Sequence, residues 1–173
     1  MIRRKHIRDV ALRLCSKHGT GRPPVDVEKI ATQLGAVIHK NRVEDDVSGF
    51  VAWKNDRPII GVNARHSSNR QRFTIAHEIG HILLHPQMSL HIDESFAVRL
   101  RSDKSPRGDH DEKEANLFAA ELLMPASLIA DDIRRIGVLD LHDERRIEEL
   151  AKSYHVSTQA MTIRLQQILN FRE

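Results

Sequence analysis

Residues 73–86, FTIAHEIGHILLHP, hold four titratable side chains inside an otherwise apolar stretch: His77, Glu78, His81 and His85. Such groups are costly in an apolar environment unless a partner satisfies them. Two interpretations are open at this point. The four residues are scattered over an exposed surface, or some of them surround a bound cation.

The five residues HEIGH, 77–81, match the pattern H-E-x-x-H. On a helix, His77 and His81 lie one turn apart on the same face, so one nitrogen of each ring can reach one cation at about 2.0–2.1 Å. Glu78 is rotated by about 100° from His77 and lies beside that cation, where it can accept a proton from a water molecule. The pattern predicts a metallopeptidase helix, although a chain with 11 histidines can also produce it by chance.

A catalytic zinc site needs a third protein ligand. His85 lies about 12 Å along the helix axis from His77, so one ion cannot bind both. We therefore expect His85 to be structural or to contact a metal ligand without binding the metal itself. The segment 109–125, DHDEKEANLFAAELLMP, offers Glu112 as the ligand, with Asn116 one turn later to orient it or a histidine. The other acidic and histidine side chains of this segment are weaker candidates: Asp109, His110, Asp111, Glu114 and Glu121.

Length and composition are those of an ordinary globular protein. The chain has 173 residues, 40% of them hydrophobic and 29% charged, which predicts one compact domain with room for a small appended subdomain. The single cysteine, Cys15, excludes an internal disulfide framework and a thiolate zinc site within one chain, and is typical of a reducing cytoplasm. We expect neither a secretory signal nor a membrane span, and a net charge of +3 is too small to indicate nucleic-acid binding by itself.

The periodicity predicts a mixture of helices and strands. Helices are expected at 2–18, 26–34, 68–85, 111–123, 127–135, 143–154 and 157–170, and strands at 36–40, 48–53, 58–63 and 94–101, with a loop at 102–109.

Several short signals refine these elements. Ser68 and Gln71 resemble a capping box for the third helix, and Ser157 can cap the last one. The strands at 48–53 and 58–63 predict a hairpin with the four-residue loop KNDR. Because Pro58 lacks an N–H donor, we expect at least one side of this hairpin to lie at a sheet edge.

Two separated motifs resemble the ImmA/IrrE family of metallopeptidases. The first is HEIGHILLH, 77–85, and the second is E-x-x-A-N-x-F-A-A-x-L-L-M-P, 112–125. The hairpin SGFVAW…IIGVN and the run RFTIAHE resemble that family too, so the similarity covers roughly residues 25–130. It implies that His77, His81 and Glu112 bind the metal and that Glu78 is catalytic. No departure from the motifs indicates an inactive enzyme.

The resemblance also implies an architecture and a role. The fold would be α+β: a zincin-like metallopeptidase domain, 1–126, with a small, mostly antiparallel sheet and an HExxH helix, and a C-terminal helical subdomain, 127–173, packed on it. The cofactor would be one divalent metal ion, zinc first and manganese as the alternative. Members of the family typically act in the cytoplasm on a helix-turn-helix repressor of the XRE type, whose cleavage relieves repression of a stress-response or mobile-element programme.

The C-terminal segment 150–169, LAKSYHVSTQAMTIRLQQIL, reads like a helix-turn-helix with its turn at Val156 and Ser157. The second helix offers Arg164 as its one charge, and acidic residues slightly outnumber basic ones from residue 127 onward. An electrostatic footprint for DNA is therefore missing. We expect these helices to pack against the catalytic domain or a partner, and we do not expect direct DNA binding.

Three functions follow as hypotheses. The first is a metallo-endopeptidase in which Glu78 moves the proton of the attacking water and a further donor stabilises the oxyanion, the candidates being His85, His110 and Tyr154. An edge strand of the hairpin would hold its substrate extended by strand addition. The second is an anti-repressor that binds its partner without cutting it and carries a structural or sensing metal site. The third is a DNA-binding protein that uses the C-terminal helices.

Overall fold

The computed structural model of the protein describes residues 2–18, 21–43, 47–86, 90–94, 106–137, 140–141 and 143–170. These residues form helices and a sheet, so the predicted α+β class is confirmed. In chain order the elements are α1 (Arg4–His18), α2 (Val27–Gln33), β1 (Val37–Asn41), β2 (Val47–Lys54), β3 (Arg57–Asn63), α3 (Ser68–Leu84), β4 (Leu90–Glu94), α4 (Pro106–Leu123), α5 (Ala126–Ile136), α6 (Glu144–Tyr154) and α7 (Thr158–Asn170).

The four described strands form one sheet in the order β1-β3-β2-β4. β1 is parallel to β3, whereas β2 is antiparallel to both β3 and β4, so the sheet is mostly antiparallel, as predicted. The prediction that the hairpin reaches a sheet edge is wrong for these strands, because β1 and β4 flank it. Pro58 lies opposite Trp53 of β2. It is tolerated in β3 because the pairing of β3 with β1 begins one residue later, at Ile59, so the missing N–H of Pro58 breaks no pair with β1.

The hairpin turn is shorter than the sequence pattern predicts. Lys54 and Arg57 pair with each other as part of the strands, which leaves Asn55 and Asp56 as a two-residue loop instead of four residues. Both loop residues have positive φ, 51° and 59°. This conformation matches the right-handed twist of a tight hairpin, and Asn and Asp tolerate it better than most residues.

Two helix starts test the capping signals that the sequence predicts. The side chain of Ser67, not Ser68, caps α3 by accepting a hydrogen bond from the Arg70 N–H, so the predicted capping box is one residue out of place. Ser157 caps α7 as predicted, with its Oγ 3.1 Å from the Ala160 nitrogen.

The region between α3 and α4 departs from the predicted elements. A short strand, β4, adds to β2, and most of the predicted strand at 94–101 lies outside the described residues. The part of the predicted loop at 106–109 is helical, because α4 begins at Pro106, five residues before the predicted start at 111. A proline at the first position of a helix needs no N–H partner, and its fixed φ suits the helix.

The helix α3 lies in the centre of the molecule, between the sheet and α4. Every residue from Thr74 to His81 is buried, which is more than two turns without an exposed face, and Leu84 is buried as well. On the other side, α1 packs against α4, and Ile7, Ala11 and Leu14 of α1 are buried there. Among the described residues, none of the helices has the length and apolar character needed to cross a membrane.

The C-terminal helices are attached to α4 through a buried ion pair. Arg164 of α7 is 3% exposed and directs its guanidinium at Glu121 of α4, with Nη1 3.0 Å from Oε1. Its Nε donates to the backbone oxygen of Met124 at 2.9 Å. Arg164 is the one charged residue of α7, so the burial of this side chain removes it from any contact with DNA phosphates.

Candidate metal centre

Helical periodicity brings His77 and His81 to one buried face of α3. Their Nε2 atoms lie 3.0 Å apart, and the two rings meet edge to face with centroids 4.7 Å apart. Both residues are almost fully buried, at 1% and 0% exposure. Two imidazole nitrogens that converge in this way can both reach one cation placed between them.

Glu112 reaches the same point from α4. Its Oε1 lies 3.4 Å from the His81 Nε2, and its Oε2 lies 3.8 Å from the His77 Nε2. One ligand atom from each of the three residues can be chosen so that all lie within 4.8 Å of one another. In the part of the chain that the structure describes, no other group of three His, Cys, Asp or Glu residues meets this condition.

Glu78 lies beside the three residues, fully buried beneath β2. A Cβ atom placed on Gly49 of β2 would be 3.6 Å from Glu78 Oε1, 2.7 Å from the backbone oxygen of Gly61 and 2.3 Å from the Thr74 methyl group. A side chain at position 49 would therefore disturb both the sheet and the helix that carries Glu78. Gly49 is a site residue that sequence analysis missed, because nothing in the strand pattern shows which strand covers the helix.

Asn116 holds His77 from behind. Its Oδ1 lies 3.1 Å from the His77 Nδ1. Because an amide oxygen can only accept, Nδ1 carries the proton of the neutral ring and Nε2 keeps its lone pair directed at His81 and Glu112. The expectation that Asn116 orients a histidine therefore agrees with this contact.

His85 and His110 lie around a second pair of carboxylates. The His85 Nδ1 is 3.5 Å from Asp111 and the His110 Nδ1 is 3.6 Å from the same carboxylate, while both Nε2 atoms lie 3.9 Å from Glu114. Burial lowers the pKa of His85, although Asp111 and Glu114 oppose that shift. The His85 ring is also 5.5 Å from the His81 ring, so His85 adjoins a predicted ligand without joining the group of three.

Tyr154, the remaining oxyanion candidate, has a different partner. Its side chain is fully buried, and its hydroxyl donates to Asp132 of α5 at 2.7 Å. Burial and the neighbouring Asp132 raise the pKa of the phenol. The structure therefore places this hydroxyl in the packing of α5 and α6, and not with His77, His81 and Glu112.

Arg3 and Glu114 form a structural pair that sequence analysis missed. The backbone N–H of Arg3 donates to Glu114 Oε1 at 2.8 Å, its guanidinium contacts both carboxylate oxygens, and its Nη2 reaches the Leu84 carbonyl at 3.4 Å. Burial alone would raise the pKa of Glu114, but the hydrogen bonds and charge of Arg3 outweigh it and hold the pKa at about 2. Arg3 thus connects the end of α3 to α4, the two helices that carry the candidate metal ligands.

A family model with the description IrrE N-terminal-like domain, peptidase family M78, matches residues 31–166. The match covers most of the chain and includes both motifs. The chain belongs to the ImmA/IrrE family.

Individual members of the ImmA/IrrE family show how far the similarity extends. The chain is 31% identical over 155 residues to the radiation response metalloprotease IrrE of Deinococcus deserti, covering 83% of this chain and 48% of that protein. It is 32% identical over 117 residues to the protein of the same name from Deinococcus radiodurans, covering 61% of this chain and 30% of that protein. The chain therefore spans half or less of the length of these two relatives.

Two further similarities come from other sources. An uncharacterized immunity region protein 2 of Bacillus phage phi105 is 26% identical over 122 residues, 69% of this chain and 68% of that protein. A solved structure of a Mycobacterium tuberculosis transcriptional regulator has the same fold, with a TM-score of 0.65 at 17% identity over 92% of this chain and 55% of that one.

Membership in the ImmA/IrrE family implies a divalent metal ion, and the donors fit one. Ligand bonds of 2.0–2.1 Å in a tetrahedral site place neighbouring ligand atoms about 3.3 Å apart. The separation of the two Nε2 atoms, 3.0 Å, and that of the His81 Nε2 from the Glu112 Oε1, 3.4 Å, are close to that value. Two imidazoles and one carboxylate are also a donor set that zinc accepts.

Replacing Asn116 by alanine should weaken metal binding about 10–100-fold, because His77 loses the partner that sets its tautomer and ring orientation. The measurement is competition with a zinc-binding dye. Asn116→Asp keeps an acceptor oxygen at the same place and should retain most of the affinity. Equal dissociation constants for the alanine variant and the unaltered chain would contradict the role assigned to Asn116.

α3 and α4 approach each other closely at Gly80. A Cβ atom there would lie 3.1 Å from both the Ala115 Cα and the Phe118 ring. Gly80→Val should therefore lower the free energy of unfolding by about 1–3 kcal/mol and weaken metal binding, because it separates α3 from α4. Denaturant unfolding and the dye assay measure the two effects. Ala130→Val, at a surface cleft, is the matched control, and a Gly80→Val variant as stable as this control would contradict the prediction.

Proposed function

We propose that this member of the ImmA/IrrE family is a metal-dependent endopeptidase with a zincin-like catalytic domain. The observation that carries the proposal is the convergence of three buried donors from two helices, His77 and His81 of α3 and Glu112 of α4. Three protein ligands leave the fourth position of a tetrahedral ion open, which is typical of catalytic zinc sites. Zinc is the ion we expect, and manganese is the alternative because carboxylate and imidazole donors also accept it.

When bound, the ion would polarise the scissile carbonyl group and lower the pKa of a water molecule. Glu78 accepts a proton from the attacking water while the water oxygen bonds to the carbonyl carbon. It then gives that proton to the amide nitrogen as the C–N bond breaks. Asn116 keeps His77 in the tautomer that the site needs. His85 and His110 stay candidates for the oxyanion donor, whereas the contact of Tyr154 with Asp132 argues against that residue.

The proposed substrate is a helix-turn-helix transcriptional repressor of the XRE type. Its cleavage would relieve repression of a stress-response or mobile-element programme in the cytoplasm. The names of two relatives support this choice, since one is a radiation response metalloprotease and the other is an immunity region protein of a phage. If the substrate lies extended at the sheet, an outer strand, β1 or β4, would have to receive it, because the hairpin strands are both interior.

The C-terminal helices are proposed as a helical subdomain, 127–173, packed on a catalytic domain, 1–126. The pair of α6 and α7, joined through His155 in a left-handed conformation, resembles a helix-turn-helix. Two contacts support the packing: the Arg164–Glu121 ion pair and a hydrogen bond from Asn69 to the Val156 carbonyl. The buried Arg164 argues against a role in reading DNA.

The decisive experiment incubates the purified chain with a candidate XRE-type repressor, chosen from the genes next to its own, and maps the products by mass. We expect one or a few discrete cuts. Chelation should abolish them, and one equivalent of Zn²⁺ or Mn²⁺ should restore them. Cleavage that persists after complete metal removal would contradict the proposal. A stable complex without any cut would favour the non-cleaving anti-repressor.

A further inference from the structure

A surface groove runs between α4 and α7 and holds a cleft of about 430 Å³. We call it the α4–α7 groove and define it by the apolar residues Phe73, Leu117, Ala120 and Ile163 together with Arg4 and Asn116. A second cleft, of about 310 Å³, adjoins it and shares Arg4 and Leu117. Because they share lining residues, the two clefts adjoin each other, and both are open to solvent.

The apolar part of the groove is unusually accessible. Ile163 is 48% exposed, more than any other large hydrophobic side chain in the described part of the chain. Phe73, Leu117 and Ala120 are half-buried around it. An exposed isoleucine inside an apolar groove gains free energy when a partner covers it, at about 25 cal/mol per Å² of apolar surface.

The charged part of the groove favours an anion. Arg4 is exposed, and no carboxylate of the described residues pairs with it. In the adjoining cleft, Arg8 and Arg164 both contact the carboxylate of Glu121. Lys113, also in the groove, is balanced by Asp109.

The groove also reaches the candidate metal centre. Asn116 contributes to its lining and accepts the hydrogen bond of His77. Phe73, one turn before His77 on α3, has its ring centroid 6.3 Å from the His77 ring. A molecule in the groove would thus lie one side chain away from a predicted metal ligand, on the side of the ring opposite Nε2.

We propose that the α4–α7 groove docks a segment of a protein partner in which apolar side chains adjoin an acidic residue. The apolar side chains cover Ile163 and Leu117, and the acidic residue pairs with Arg4. Two adjoining clefts that are open to solvent and combine apolar side chains with an exposed arginine suit a peptide better than a small ligand.

Peptide selection tests the groove directly. Phage-displayed random peptides of about 12 residues are selected on the full chain carrying Glu78→Gln, so that no bound peptide is cut. We expect enrichment of sequences that combine at least two large apolar residues with Asp or Glu. For the best synthetic peptide, Ile163→Asp and Arg4→Glu should each lower the affinity at least about tenfold.

Matched exposed residues outside the groove serve as controls. Ile136→Asp and Arg135→Glu, both on α5, should change the affinity by less than about twofold. Absence of enrichment, or enriched peptides that bind the groove variants as tightly as the parent, would overturn the proposal. So would a dimer that Ile163→Asp dissociates, which assigns the groove to a second copy, or binding of laurate without binding of any peptide. Because the selection uses a chain that cannot cleave, its outcome is independent of the cleavage assay.

Discussion

Replacing Glu78 by glutamine should abolish cleavage of the repressor without releasing the metal. Glutamine keeps the shape of the side chain in its buried position beneath Gly49, but its amide cannot take a proton from water. Loss of a general base costs about 10²–10⁴-fold in rate. Glu78 is not among the three converging donors, so the metal content should stay at one ion per chain. Rates by mass spectrometry and metal content by elemental analysis test both parts.

The control for this substitution is Glu148→Gln, an exposed glutamate whose partner is Lys152 and whose replacement should leave the rate unchanged. The same variant separates the two main hypotheses in cells. In cells that express the Glu78→Gln variant, the repressor is followed together with the expression of its target genes. An intact repressor with derepressed target genes would identify the protein as an anti-repressor that acts by binding. Undiminished cleavage by the variant would remove Glu78 from the mechanism.

Replacing Arg164 by alanine should destabilise the fold by about 3–5 kcal/mol, because it leaves the carboxylate of Glu121 buried without its principal partner. Both side chains of the pair are only 4% exposed, and the Met124 carbonyl loses a donor as well. Arg8 also reaches Glu121, at 3.4 Å, but its side chain is 45% exposed, so it compensates only in part. Thermal unfolding should show a decrease of about 10 °C in the midpoint.

Two further variants make this prediction specific. The double variant Arg164→Leu with Glu121→Leu removes both charges and should recover most of the lost stability, because apolar residues can replace a buried ion pair at little cost. Arg134→Ala breaks an exposed pair with Asp131 and should change the stability by less than about 1 kcal/mol. An Arg164→Ala variant as stable as Arg134→Ala would show that the pair does not hold α7 to α4.

Local signals in the sequence were sufficient where neighbouring residues decide the outcome. The i, i+4 spacing of His77 and His81 depends only on the helical repeat, and Ser157 caps a helix that starts beside it. The sequence also predicts the hairpin but not its turn. The loop has two residues instead of four because Lys54 and Arg57 pair with each other and extend both strands, which the local pattern does not show. Similarly, α4 starts five residues before the position that the apolar pattern suggested.

The residues of the candidate site were predicted only in part. Glu112 was selected from several acidic residues in one segment by its face of the helix, and the structure brings it to the two histidines, although its metal binding stays a prediction. Asn116 followed from the same face. Tyr154 was a candidate oxyanion donor only because it carries a hydroxyl group. Its partner, Asp132, depends on how α5 and α6 pack, which no local pattern shows.

Periodicity, capping and motif spacing by themselves determined the helix with the two histidines, the class of the fold and the family resemblance. Only the tertiary structure decided that Gly49 covers Glu78, that Arg3 joins α3 to α4, and that Arg164 is buried. The physical reason is distance along the chain. Arg3 and Glu114 are 111 residues apart, and Arg164 and Glu121 are 43 apart, so no local pattern relates them. Their pairing is set by which surfaces must leave water together when the helices pack.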